Sequence, residues 1–147
     1  MTRFRLAAGR LSILPVAAAL LFAAAVLASA AEEFPFDREL VLDAAPLGRG
    51  KHMPMLVVTP SGDATIELWC KTVGAHADIA EDTIAIKAEP LPDALPAMMG
   101  RDQCTPARMQ ADADLLDAIA QATSWHKQGS GLVLVGPKTL TFRLSDH

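Results

Sequence analysis

The chain has 147 residues, with 17 acidic against 13 basic side chains, four histidines, two cysteines and a mean hydropathy of +0.26. That length accommodates one domain and not comfortably two. An acidic balance is repelled by phosphate backbones and by anionic lipid, so nucleic acid is excluded as a natural partner.

The first thirty residues read as a secretory signal peptide. Arg3, Arg5 and Arg10 are the only charges before Glu32, and residues 11–28 are apolar apart from Ser12. Ala28, Ser29 and Ala30 then supply the small side chains that a signal peptidase admits, with cleavage after Ala30 or Ala31. An uncleaved anchor is the alternative, because an uncharged run of this length just spans a bilayer. The abundance of alanine, Pro15 and the small residues at 28–30 favour removal. No cysteine lies near the cleavage point to carry a lipid, so the expected product, residues 31–147, is periplasmic or secreted with no stable membrane anchor. Losing three arginines moves the net charge from −4 to −7.

Cys70 and Cys104 both lie in the mature part. In an oxidising compartment an isolated pair is more often bridged than free, and a bridge closing a loop of this size contributes about 4 kcal/mol in the chain-entropy treatment. Two buried free thiols are the alternative reading.

The mature segment opens on Phe34-Pro35-Phe36, and residues 39–42 form a candidate first strand. Gly48 and Gly50 mark a loop. Residues 55–59 predict a second strand, closed by Pro60. After the Ser61-Gly62-Asp63 turn, residues 65–69 alternate, with Ile66 and Leu68 on one face and Thr65, Glu67 and Trp69 on the other. Residues 75–80 form a weaker strand and residues 83–87 a stronger one, joined through Glu81 and Asp82. Pro90, Pro92 and Pro96 exclude helix interior and central strand, so residues 90–102 are expected as a surface excursion.

One helix follows. Thr105 suits the N-cap and Pro106 the first turn. Gln110, Asp114, Asp117 and Gln121 recur as a wet face, and Met109, Leu115, Leu116, Ile119 and Ala122 as a dry one. Asp112 and Asp114 are expected early in the helix, where its dipole favours them. Residues 124–127 are a further candidate strand, and residues 132–135 and 139–144 a closing hairpin. Short turns cannot join parallel neighbours, so this order implies an α+β fold with a mostly antiparallel sheet.

This order resembles the META domain family, also called HslJ-like. The resemblance rests on Cys104, the helix through 109–122, Gly131, Leu132-Val133-Leu134 and the closing Leu140-Thr141-Phe142. Towards the N-terminus, Trp69-Cys70-Lys71 and Gly74-Ala75-His76 stand where the family has Gly-Cys-Asn and Gly-x-Tyr. The resemblance implies a barrel-like sheet packed around one α-helix, a Cys70–Cys104 contact and a role in the bacterial envelope under stress. It implies no catalytic residues and no cofactor.

The residues themselves point to no enzyme. Ser61, Ser124 and Ser130 lack a base and an orienting group, no G-x-S-x-G occurs, and His52, His76, His126 and His147 are not spaced as a zinc motif. His52, Met53 and Met55 form the one segment of unusual chemistry, soft donors suited to Cu(I), with Met98 and Met99 as possible additions. The competing reading places Met55 in the core and His52 and Met53 in a loop. Trp69 and Trp125 are the candidate binding-surface aromatics, with core packing as their alternative. The resulting expectation is a non-enzymatic binding or structural module of the cell envelope, whose partner is an envelope protein or a small apolar ligand. A periplasmic Cu(I)-binding protein is the alternative.

Overall fold

The computed structural model describes residues 33–48, 52–94 and 103–145. Residues 1–30, expected as a signal peptide, and Met98 and Met99 therefore lie outside the described residues. Eight strands run in chain order: β1 (Leu40–Leu42), β2 (Met55–Val58), β3 (Asp63–Glu67), β4 (Thr72–Ala80), β5 (Thr83–Ala88), β6 (Ser124–Gln128), β7 (Gly131–Val135) and β8 (Leu140–Leu144). One helix, α1 (Pro106–Ala120), lies between β5 and β6. Each strand pairs antiparallel with the next, and β8 returns to β1, so the sheet closes into an up-and-down barrel. Closure leaves no free outer edge strand.

Alternation explains why these strands close around a dry interior. The register aligns Leu40, Leu56, Ile66 and Val73 across β1 to β4, and Leu42, Phe142 and Leu132 across β1, β8 and β7. All seven side chains are buried, while intervening residues such as Thr65 and Lys87 face out. An eight-stranded barrel is just wide enough for side chains to fill it. The β2–β3 turn depends on Gly62, whose φ is +89° and whose added Cβ would lie 2.7 Å from the Ala77 carbonyl oxygen.

The wall is thinnest between β5 and β6, where the ladder is the single pair Thr83–Ser124. The helix packs against β5, and its Leu115, Ala118 and Ile119 belong to the same core as the strands. The α+β reading and the antiparallel barrel with one helix, among the described residues, thus hold. The barrel's interior is filled largely by strand side chains, with α1 completing the core.

Several elements differ in detail from the sequence reading. The weak strand expected at 75–80 is the nine-residue β4, which begins at Thr72. β3 ends at Glu67, so Trp69 sits with Cys70 in the β3–β4 turn rather than on the strand face shared with Thr65 and Glu67. The helix starts at Pro106 with Thr105 as N-cap, whose side chain accepts from the Arg108 N–H. Its first turn contains no acidic residue. Asp112 and Asp114 instead sit in mid-helix, with Asp112 buried and Asp114 exposed.

Candidate functional site

The buried stripe of α1 is not purely apolar. Arg108, Asp112, Leu115, Ala118 and Ile119 are buried, whereas Met109 is exposed and Leu116 half-buried. The wet face is as expected: Gln110 donates to Asp114 and Gln121 to Asp117, each one helical turn apart.

Asp112 is 0% exposed. Its carboxylate accepts the Trp69 backbone N–H at 2.7 Å and the Cys70 N–H at 3.1 Å. It therefore satisfies the inward donors of the β3–β4 turn, which no strand partner reaches. Burial pushes this carboxyl above its ordinary value. The N–H groups of Trp69, Cys70 and Lys71 and the Lys71 charge pull it back only in part. Four residues earlier, Arg108 donates through Nε to the Leu47 carbonyl at 2.8 Å and through Nη1 to the Gln103 carbonyl at 2.6 Å. Its Nη2 is buried with no hydrogen-bond partner among the described residues.

The cysteines complete the attachment. Cys70 and Cys104 form a disulfide with a Cα–Cα distance of 5.6 Å, and no described cysteine is free. The β3–β4 turn is thus tied to the start of α1 covalently through Cys70 and by hydrogen bonds through Asp112. Arg108 ties the β1–β2 loop to the same helix.

This tripod holds open a cavity of about 340 Å³ between the β1–β2 loop, α1 and the β7–β8 turn. Leu42, Trp69, Leu115 and Leu140 line its floor, each less than a tenth exposed. Asp43, Asp114 and Lys138 stand at its exposed rim. A second cavity, about 360 Å³, lies beside Phe34, Phe36, Lys127 and Gly129.

The other residues singled out in the sequence fall in different places. Trp125 is 3% exposed, meets Phe34 edge-on with ring centroids 5.1 Å apart, and donates Nε1–H to the Ala80 carbonyl. It lines neither cavity. Trp69 is 4% exposed and reaches the first cavity as part of its lining. His52 is exposed and donates Nε2–H to the Leu68 carbonyl at 2.9 Å, because a carbonyl can only accept. Met53 packs on the core from its side, and Met55 is half-buried on β2, one residue out of phase with the interior Leu56. The competing reading is right that Met55 begins a strand and that His52 and Met53 precede it, and is corrected only in placing Met55 in the core: alternation turns it outward.

Asp112 and Arg108 were missed as determinants of this site. The available signal was their spacing: Arg108, Asp112, Leu115 and Ile119 lie at i, i+4, i+7 and i+11, the stripe of a single helix face.

These features define a closed, eight-stranded antiparallel barrel completed by one helix. Among solved structures, the fold is similar to that of a protein determined by NMR, with a TM-score of 0.51 and 17% identity over 73% of this chain and 88% of that one. At that identity the likeness concerns the fold alone. No family model matches the chain, and no curated protein does.

Proposed function

We propose that this chain is an exported, non-enzymatic domain of the META (HslJ-like) type, acting in the cell envelope as a binding module. Its cavity beside α1 takes in a small apolar ligand or an apolar part of a partner. The observation that carries this reading is the fastening of two loops, the β1–β2 loop and the β3–β4 turn, to α1 beside one apolar-floored cavity. Binding is tighter when the receiving surface is already ordered, and the disulfide with Asp112 supplies that order. Export is supported by the charge and hydropathy of residues 1–30 and by the disulfide, which persists in oxidising compartments. Among the described residues no helix is long and apolar enough to cross a membrane.

The test is a titration of the isotope-labelled mature protein with a neutral aromatic probe, 2-phenylethanol, followed by NMR. Shifts concentrated at Leu42, Trp69, Leu115 and Leu140 are expected, and Ala111→Trp, which fills the cavity, abolishes them. Absence of shifts at these residues up to millimolar probe contradicts the binding site.

A further inference from the structure

The rim of this cavity carries charges that form no ion pair among the described residues. Asp43 comes from the β1–β2 loop, Asp114 from the exposed face of α1 and Lys138 from the β7–β8 turn. Among the described residues no ion pair engages any of the three; the ion pairs present are His76–Asp78 and Lys87–Asp78, on the outer wall. Asp114 accepts one hydrogen bond from Gln110 and keeps its second oxygen for another donor. Carboxylates and an ammonium are thus spread around one opening, close enough to line the same space yet not neutralising one another.

The two buried charged groups of α1 are turned away from this cavity. Arg108 spends its Nε and Nη1 on the Leu47 and Gln103 carbonyls, and Asp112 faces the backbone of the β3–β4 turn. Neither lines the cavity. The floor is apolar: Leu42, Trp69, Leu115 and Leu140. The volume sits at the lower end of the roughly 300–1,000 Å³ typical of small-molecule sites.

From this juxtaposition we infer that the ligand of the cavity is a zwitterionic, apolar amino acid. Its side chain lies on the floor, its ammonium faces Asp43 and Asp114, and its carboxylate faces Lys138. A neutral apolar molecule would leave all three rim charges unused. A monovalent ion of either sign would meet one attractive and one repulsive side. The inference rests on the binding reading above and deepens it.

The experiment compares four aromatic probes of similar size against the mature protein by NMR titration: L-phenylalanine, phenethylamine, 3-phenylpropionate and 2-phenylethanol. L-phenylalanine is expected to bind tightest. Exposed charge pairs contribute about 0.2–1 kcal/mol each, so Asp43→Asn, Asp114→Asn and Lys138→Gln should each weaken it by about 1.5- to 5-fold. Lys87→Gln on the outer wall should leave it unchanged. Amide spectra of the variants confirm that each remains folded. If 2-phenylethanol binds at the same residues as tightly as L-phenylalanine, the zwitterion inference is overturned while the cavity stands as a binding site. If phenethylamine or 3-phenylpropionate binds tighter than L-phenylalanine, the inference falls in the same way. If no probe moves the cavity signals, both readings fall.

Discussion

Replacing Asp112 with alanine probes how the helix is fastened to the barrel. The substitution leaves the Trp69 and Cys70 N–H groups, now at 2.7 and 3.1 Å from a carboxylate oxygen, without an acceptor in a site closed to solvent. Each abandoned buried donor costs about 1–3 kcal/mol. Part of that loss is returned, because a carboxylate no longer has to be held away from water. A net destabilisation of about 2–4 kcal/mol is expected, a large share of the roughly 5–15 kcal/mol that holds small domains folded. Urea unfolding of the disulfide-bonded protein, followed by tryptophan fluorescence, should show the midpoint falling by about 1–2 M at unchanged slope. Asp117→Ala, on the exposed face of the same helix, should stay within about 0.5 kcal/mol of the parent. Equal midpoints for the Asp112 and Asp117 variants would refute the reasoning, because the buried carboxylate would then be holding nothing.

The same carboxyl gives a pH dependence. Its folded-state value is raised, so the native protein keeps a proton that the unfolded chain has already lost. Stability from this group is therefore greatest at acid pH and falls as pH rises from about 4 towards the folded-state value. Asp112→Asn removes the effect, and the stability difference between parent and variant should drift in favour of asparagine across that window; a flat difference contradicts it. Gly131→Ala should lower the melting temperature by several degrees, because a Cβ there meets the Phe142 carbonyl oxygen across the β7–β8 ladder. Reducing the Cys70–Cys104 bridge should cost up to about 4 kcal/mol, measured as a lower urea midpoint in the presence of dithiothreitol.

Much of the barrel was legible because its strands obey a period of two. Ile84 and Ile86, and Leu140 and Phe142, alternate with exposed or half-buried residues, and all four are buried; β7 departs from the pattern, because Val133 is buried as well as Leu132 and Leu134. Thr105 and Pro106 announced the helix start for an equally local reason. β4 was underestimated because its interior face is built from small residues, with Val73, Ala75 and Ala77 in place of a bulky run. Trp69 is placed differently because the alternating sequence runs on past Glu67, whereas the β3–β4 turn buries Leu68, Trp69 and Cys70 together. The site was the least legible part. Asp112 and Arg108 look like ordinary surface charges of an acidic helix, and only their tertiary partners, the turn N–H groups and the Leu47 and Gln103 carbonyls, turn that stripe inward. The cavity rim joins residues from positions 43, 114 and 138, a closure that barrel topology produces and local pattern does not contain.

Export of the proposed kind requires that residues 1–30 be removed and that the Cys70–Cys104 bridge be closed in the native protein. An intact mass spectrum of native material, taken before and after alkylation without reductant, tests both requirements at once. The account predicts a chain beginning at Ala31 or Glu32, two hydrogens lighter than the reduced form and unaltered by alkylation. A chain that retains Met1, or one that takes up two alkyl groups, would contradict it.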